Sequence, residues 1–359
     1  MRRHTRALAG FIALATCAAL GSTAAAAEPA AHQGLLPAVD REVQFTADGS
    51  TTYGTVHVPA HRPGRRLAAA LLIPGSGRTD RNGDEPPNLA PGTLARIAET
   101  LGEDGVMTLR FDKYTTGRTG YGRLDHDRAD LDMDAFTRQA EGAYAALRAQ
   151  PEANPHALLI VGHSEGALRA LLVAPHVHPR PAGLALLAPQ DERFLDSLER
   201  QLDDSLDQAV AAGAVTPADA VRYRQRIAQV VTDFRAGRPV DTSGLPDKLP
   251  EFLDGVLNPQ NARFVRTDDA VDPTAAARRI APGTRVTVTC GTADANIPCP
   301  TVPPLLAALT DAGTTGPGLR VLPGVDHFLH PAGAPADGGP LALPATAALH
   351  EFSRPWRTR

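Results

Sequence analysis

Residues 162–166 have the sequence Gly-His-Ser-Glu-Gly, a Gly-x-Ser-x-Gly motif with Ser164 at its centre. A short apolar run, residues 157–161, precedes the motif, and residues 167–174, rich in helix-forming Ala and Leu, follow it. A strand that turns abruptly into a helix around such a serine is a nucleophile elbow, in which the two glycines let strand and helix approach closely. The turn would lift the Ser164 hydroxyl above a sheet edge, where a base and a substrate carbonyl can both reach it. Ser164 is therefore predicted to be a nucleophile.

A serine hydroxyl is a weak nucleophile at neutral pH and needs a general base that is itself oriented by an acid. Asp294 follows the end of the apolar run 285–291 by a tight turn, and His327 lies a few residues beyond the run 318–323. We expect Asp294 to be the acid and His327 the base. His330 is the alternative base, but His327 is nearer to the strand end and belongs to a Gly-Val-Asp-His turn.

Acyl transfer also needs two N–H donors aimed at the oxyanion that develops on the substrate. The backbone N–H of Glu165, directly after the candidate nucleophile, is expected to be one donor. The Pro-Gly-Ser-Gly turn at residues 74–77 follows another apolar run, and the backbone N–H of Ser76 is the best candidate for the second. The alternative is an ordinary glycine-rich turn. A phosphate-binding loop is disfavoured because no Gly-Lys-Ser/Thr sequence follows.

The elements that must hold these residues alternate along the chain. Strand-like runs alternate with helical segments, a pattern typical of parallel βαβ units. The strand-like runs are residues 67–73, 106–112, 157–161, 182–188, 285–291 and 318–323, and the helical segments are 93–102, 132–149, 167–174 and 344–352. Two further strands, residues 42–46 and 51–58, are expected to open the fold in antiparallel fashion.

Between residues 191 and 280 the pattern is helical, with no convincing strand. We therefore predict an α/β core made of residues 41–190 and 281–359, interrupted by a helical cap or lid at 191–280. An ordinary helical subdomain is the alternative interpretation of this insert. Residues 28–40 are expected to be a flexible segment ahead of the core.

The first 27 residues have the composition of a signal peptide. Arg2, Arg3 and Arg6 precede an apolar stretch, and small residues end at Ala27, after which cleavage is expected. A lipoprotein signal at Cys17 is disfavoured because more apolar residues follow that cysteine. The sequence thus predicts a secreted protein without stable membrane insertion.

Composition restricts the partners. The chain has 359 residues and a formal net charge of −4 at pH 7, which disfavours nucleic acid or an anionic membrane as the main partner. His176 and His178 form a His-x-His pair, but no acidic or cysteine ligand has motif spacing with them, so no metal site is predicted. The predicted acyl-transfer chemistry of Ser164, His327 and Asp294 needs no metal or organic cofactor. The expected partner is a small-molecule ester, and the sequence does not indicate an oligomeric state.

Cysteine usage agrees with an extracellular location. Cys290 and Cys299 would be the two cysteines of the mature chain, and outside the cytoplasm such a pair is expected to form a disulfide. Two free thiols are the alternative.

Four blocks of sequence resemble secreted bacterial serine esterases of the α/β-hydrolase superfamily, in the branch described as serine aminopeptidase-like. The blocks are residues 74–83, residues 109–113, residues 162–168, and the pair 291–294 with 324–327. The resemblance covers roughly residues 67–330 and is weakest over the helical insert. It implies the α/β-hydrolase fold, a mostly parallel central sheet flanked by helices, and it implies that Ser164, Asp294 and His327 are nucleophile, acid and base.

Three features depart from that family pattern. Pro74 stands where relatives often have histidine, and the loop after Lys113 reads Tyr-Thr-Thr-Gly-Arg instead of Arg-Gly-x-Gly. The Cys290 and Cys299 pair is not a general feature of the family, and a bridge between them would clamp the loop that carries Asp294.

The sequence therefore predicts a secreted carboxylesterase that cleaves small or medium acyl esters through an acyl-enzyme. An amidase or aminopeptidase with the same three residues is the first alternative, and a non-catalytic hydrolase-fold binding protein is the second. The substrate is expected to depend on the insert and on the loop after Lys113. Aromatic side chains of the insert are expected to pack it onto the core more than to wall a pocket: Phe194, Tyr223, Phe234, Phe252 and Phe264.

Overall fold

The computed structural model of the protein describes residues 34–124, 128–335 and 337–357. Eight strands in this part of the chain form one sheet with the spatial order β1-β2-β4-β3-β5-β6-β7-β8. Their bounds are β1 Val39–Ala47, β2 Ser50–Val58, β3 Leu67–Ile73, β4 Met107–Phe111, β5 Ala153–His163, β6 Gly183–Leu187, β7 Arg285–Gly291 and β8 Thr315–Leu322. The β1–β2 and β2–β4 pairs are antiparallel and the remaining pairs are parallel, as the sequence predicts.

Helices cover both faces of this sheet. The helices are α1 Thr93–Glu103, α2 Met133–Arg148, α3 Glu165–Val173, α4 Phe194–Ala211, α5 Pro217–Arg235, α6 Leu249–Leu257, α7 Ala262–Asp269, α8 Pro273–Ala277, α9 Pro303–Asp311 and α10 Leu343–Ser353. One apolar core lies under α2, α3 and α9, and the other lies under α1 and α10. Strand β3 contributes side chains to both cores. Leu71 and Ile73 belong to the first core, while Ala70 and Leu72 belong to the second. Because successive side chains of a strand point to opposite faces, a strand covered on both faces must be apolar throughout.

Five helices, α4 to α8, lie between β6 and β7. Helices α4 to α7 share an apolar cluster of their own, which includes Leu195, Val231, Phe234 and Leu253. The last of the five, α8, instead buries Ala276 and Ala277 in the core beneath α3 and α9. The helical nature of the segment thus agrees with the sequence pattern, while its division from the core at residue 280 stays a prediction.

The predicted signal peptide, residues 1–27, and the lipoprotein alternative at Cys17 lie outside the described residues. The predicted flexible segment is described from residue 34, and Leu36 already pairs with His61 through a short antiparallel bridge. Within the described ranges, no helix has the length and apolar character needed to cross a membrane.

Candidate functional site

The Gly-x-Ser-x-Gly motif forms a sharp turn between β5 and α3. Ser164 adopts φ 56° and ψ −124°, a conformation that non-glycine residues seldom adopt. Both glycines are sterically required, because a Cβ on Gly162 would lie 2.2 Å from the carbonyl oxygen of Gly166, and one on Gly166 would lie 2.2 Å from that of Ile73. The strained serine is held by the hydrogen bond from its N–H to the carbonyl of Leu187 on β6, 2.9 Å long.

Three predicted side chains come together above the carboxyl ends of β5, β7 and β8. The Ser164 Oγ lies 3.1 Å from His327 Nε2, and His327 Nδ1 lies 2.9 Å from Asp294 Oδ2. With a proton on Nδ1, the ring donates to the carboxylate and accepts the serine proton at Nε2. This is the arrangement in which an imidazole can remove a proton from a serine hydroxyl.

Asp294 is a buried carboxylate with both oxygens in use. Its Oδ1 accepts the backbone N–H groups of Asn296 and Ile297, each at 2.8 Å, and its Oδ2 faces His327. Burial acts to raise the pKa of Asp294, but the hydrogen bond with His327 and the backbone donors outweigh it and hold that pKa below its ordinary value. The group therefore remains an anion that can fix the imidazole and stabilise its protonated form.

A disulfide closes the loop that carries Asp294. Cys290 lies near the end of β7, Cys299 begins a short turn nine residues later, and their sulfurs are bonded. The predicted pairing is present in the structure, and the alternative of two free thiols is wrong. The disulfide therefore links the segment that carries Asp294 covalently to the buried strand β7.

The two predicted oxyanion donors lie beside Ser164. Ser76 and Ser164 line the same two cavities, each of about 180 Å³. Glu165 is the first residue of α3, where backbone N–H groups have no acceptor within the helix. In the part of the chain that the structure describes, no protein acceptor takes the backbone N–H of Ser76 or of Glu165. Both amides are therefore available to a ligand oxygen.

His330, the alternative base, is used elsewhere. Its ring nitrogens lie 3.0 Å from the carbonyl of Pro340 and 2.9 Å from that of Pro91, and the ring is buried. It therefore supports the loops around the site and does not face Ser164.

His163, whose role the sequence pattern does not reveal, holds the loop that carries His327. Its Nε2 donates to the backbone carbonyl of His327 at 2.7 Å. Burial is the main cause that lowers the pKa of His163 to about 4, so the ring is neutral at pH 7 and acts as a donor to the His327 loop. The signal in the sequence is its position inside the elbow motif.

A buried charged cluster, which the sequence pattern does not reveal, adjoins the elbow. Lys113 donates from Nζ to the carbonyl of Gly75, and Arg169 forms an ion pair with Glu165 one helical turn before it. Asp268 on α7 accepts from Gln190, and burial raises its pKa to about 6. Lys113, Arg169 and Asp268 are far apart in the chain, and of these three only Lys113 lies in one of the four blocks that resemble known esterases.

A larger cavity, of about 740 Å³, opens from Ser76 and Glu165 towards the insert. Lys113 and Arg169 line it, and its walls include five aromatic side chains: Tyr121, Phe136, Phe194, Phe252 and Phe264. Of the predicted insert aromatics, Phe194, Phe252 and Phe264 thus wall a cavity, whereas Phe234 packs inside the insert and Tyr223 does not line the cavity.

The loop after Lys113 contributes to both core and cavity. Tyr114 is buried and donates its hydroxyl to the carbonyl of Ala47, while the next residue, Thr115, lines the large cavity.

The described residues hold no group of three or more His, Cys, Asp or Glu side chains placed to bind a metal ion. Of the His-x-His pair, His176 contacts Glu141 at 3.2 Å and Arg279 at 3.3 Å at the protein surface.

Comparison of the sequence with protein-family models and with curated proteins gives no match. Among solved structures, the chain is similar to esterase Pf2001 of Pyrococcus furiosus, with a TM-score of 0.55 and 13% identity over 89% of this chain and 92% of that one. It is also similar to Est1E of Butyrivibrio proteoclasticus with bound ferulic acid, with a TM-score of 0.52 and 16% identity over 88% and 98%. A proline iminopeptidase of Mycobacterium smegmatis gives a TM-score of 0.50 and 17% identity over 81% and 92%.

At these identities the similarity establishes the fold. The chain has the α/β-hydrolase fold, and the fold class predicted from the sequence is confirmed.

Proposed function

We propose that this protein is a secreted serine hydrolase, and specifically a carboxylesterase that acts on small or medium acyl esters through an acyl-enzyme. The observation that carries the proposal is the continuous hydrogen-bond chain from Asp294 through His327 to Ser164 Oγ, with distances of 2.9 Å and 3.1 Å. It is supported by the backbone N–H groups of Ser76 and Glu165, which have no protein acceptor among the described residues. Fold alone would not justify this step, because hydrolase folds also serve in other roles.

In the proposed reaction, Ser164 Oγ attacks the ester carbonyl while His327 Nε2 takes its proton. Asp294 keeps the imidazole in the tautomer that can accept, and stabilises the imidazolium that forms. The N–H groups of Ser76 and Glu165 bind the oxyanion of the tetrahedral intermediate. His327 then returns the proton to the leaving alcohol, and a water molecule attacks the acyl-enzyme by the same route.

The cavities support two unequal subsites. Those that open on Ser164 have volumes of about 180 Å³, which suits a short group, while the aromatic cavity of about 740 Å³ would hold a longer or bulkier one. The helical segment that provides Phe194, Phe252 and Phe264 would act as the lid of the larger subsite. A panel of p-nitrophenyl esters graded by acyl length would locate the preferred size.

Secretion is part of the proposal. The leader-like residues 1–27 and the Cys290–Cys299 bridge support it, since disulfides persist mainly outside the reducing cytoplasm. N-terminal sequencing of protein recovered from the culture medium of the native host would test cleavage after Ala27.

The catalytic proposal is tested by fluorophosphonate labelling and by ester hydrolysis. Wild-type protein should label on Ser164, and Ser164→Ala should abolish labelling and lower kcat by at least about 10⁴-fold, as expected when a nucleophile is removed. Ser205→Ala is the matched control, because Ser205 is exposed on α4 and its hydroxyl donates to the carbonyl of Gln201 in the same helix. Labelling that survives in Ser164→Ala would contradict the assignment.

The same protein samples distinguish the two alternative functions. A clear preference for aminoacyl p-nitroanilides over p-nitrophenyl esters would identify an amidase or aminopeptidase with the same residues. A folded wild-type protein that neither labels nor hydrolyses either substrate would favour a binding role.

A further inference from the structure

Three successive carbonyl groups in the loop after β3 are each approached by a side-chain donor. Arg169 Nη1 lies 3.4 Å from the oxygen of Pro74, Lys113 Nζ donates to that of Gly75, and the Thr79 hydroxyl lies 2.6 Å from that of Ser76. The loop is also close to the nucleophile, since a Cβ on Gly75 would lie 3.2 Å from the Cβ of Ser164. These three contacts together constrain the backbone orientation of the loop.

The middle contact has a specific consequence. The Gly75 carbonyl and the Ser76 N–H belong to one peptide group, which is trans. In a trans peptide the C=O and N–H bonds point in opposite directions across a rigid plane. Holding the oxygen of Gly75 therefore also sets the direction of the Ser76 N–H. That N–H has no protein acceptor among the described residues and belongs to a residue that lines the cavities shared with Ser164.

We propose that Lys113 is a positioning residue of the active site, which holds the Gly75–Ser76 peptide with its N–H directed at the oxyanion. This rests on the proposed function and assigns to Lys113 a role in stabilising the tetrahedral intermediate without contact with the substrate carbonyl. If the peptide rotated, the Gly75 carbonyl would face the oxyanion and repel it, and one of the two donors would be lost. Glycine at position 75 makes such a rotation sterically accessible, so an external anchor is needed.

The surroundings of Lys113 suit this task. Its side chain is about 2% exposed, and a buried amine is costly unless it is hydrogen-bonded. Burial, reinforced by the nearby Arg169, lowers the pKa of Lys113 well below its ordinary value. An amine keeps N–H donors in either protonation state, so the contact with Gly75 does not depend on the charge.

The test is Lys113→Met, which keeps an unbranched apolar side chain and removes the donor. We expect kcat for a p-nitrophenyl ester to fall about 10- to 100-fold while KM changes less than about threefold, because complete loss of one oxyanion donor costs about 10²- to 10³-fold. The affinity for butylboronic acid, which forms a tetrahedral adduct with the serine, should fall by a similar factor. Lys248→Met is the matched control, because Lys248 is the only other lysine and is exposed.

A purely structural role would lower the melting temperature but leave kcat and boronate affinity unchanged in the folded fraction, and that result would overturn the proposal. Fluorophosphonate labelling of Ser164 in the wild-type protein distinguishes the two proposals. If the wild type is labelled and Lys113→Met gives that result, the role of Lys113 is wrong and the proposed function is retained.

A crystal structure of the wild-type protein with butylboronic acid gives a second test that does not depend on how the variant folds. The Ser76 nitrogen should lie about 2.7 to 3.1 Å from a boronate oxygen while Lys113 stays on Gly75. A complex in which the Gly75 carbonyl faces the boronate would contradict the proposal.

Discussion

At the scale of single residues, the two oxygens of Asp294 have different partners. Oδ1 accepts two backbone N–H groups, from Asn296 and Ile297, and Oδ2 accepts the Nδ1–H of His327. An asparagine at this position would have to direct its single carbonyl oxygen at the two backbone donors, since its amino group cannot accept from them. The amino group would then face His327.

Asp294→Asn should therefore invert the tautomer of His327. The amino group of the introduced asparagine would force Nδ1 to accept, so the ring proton would move to Nε2, which could no longer take a proton from Ser164. We expect kcat to fall about 10³- to 10⁴-fold with KM nearly unchanged, as for the equivalent change in a serine protease. Steady-state hydrolysis of a p-nitrophenyl ester measures both constants.

Asp326→Asn is the control for this variant. Asp326 adjoins His327 in the chain, but its Oδ1 accepts the backbone N–H of His330 at 2.8 Å, a bond that asparagine can retain. Its kcat should stay within about twofold of wild type. Equal losses in the two variants would indicate a general disturbance of the loop and would contradict the tautomer argument.

At the scale of elements, the disulfide between Cys290 and Cys299 fixes both ends of the loop that carries Asp294. It joins β7 to the turn before α9, with a sequence separation of nine. Closing a loop of about this size removes conformational entropy from the unfolded chain, which stabilises the folded state by about 2 to 3 kcal/mol. Cys290 is fully buried in the main core, so its strand end is rigid.

Replacing both cysteines in Cys290→Ala/Cys299→Ala should lower the free energy of unfolding by about 2 to 3 kcal/mol, measured by urea denaturation. Because the loop that carries Asp294 would lose one anchor, we also expect kcat, measured at temperatures below the unfolding transition, to fall about 3- to 10-fold.

Dithiothreitol supplies the control. It should reproduce both losses in wild type and change nothing in the double variant. A wild type whose stability does not respond to complete reduction, verified by thiol titration, would contradict this account.

Most elements could be predicted because their patterns are local. The strands and the elbow are such elements: β3 is apolar at every position, and the glycines flanking Ser164 mark a turn that sterics require. Helix α9 was missed because it begins with two prolines, although proline is acceptable in the first turn of a helix. Short α7 and α8 were not distinguished within the helical insert, because their patterns are too short to separate.

The convergence of Lys113, Arg169 and Asp268 could not be predicted from one sequence. Lys113 follows β4, Arg169 lies on α3 and Asp268 lies on α7, so only the tertiary structure brings their charges close together. Ser164, Asp294 and His327 were predictable because each follows a strand end, and parallel strands present their carboxyl ends at one edge of the sheet.

At the scale of the whole molecule, the buried site makes folding sensitive to acid. His163 has a folded-state pKa of about 4, below the ordinary value of 6.5, mainly because burial disfavours its charged form. Between these values the unfolded chain binds more protons than the folded one, so the free energy of unfolding falls as pH falls from about 6.5 to about 4. The depressed pKa of Asp294 acts in the same direction: the stability it provides above its unfolded pKa is lost as pH falls through its folded pKa.

The variant His163→Gln separates the contribution of the buried imidazole, because glutamine does not titrate and can still donate towards the His327 carbonyl. Between pH 7.5 and pH 4.5 the wild type should lose about 2 to 3 kcal/mol more unfolding free energy than the variant, measured by urea denaturation at both pH values. His156→Gln, at an exposed histidine of β5, should follow the wild-type curve. Parallel pH profiles for wild type and His163→Gln would show that the buried ring does not resist protonation, and the acid sensitivity would then have to come from the carboxylates alone.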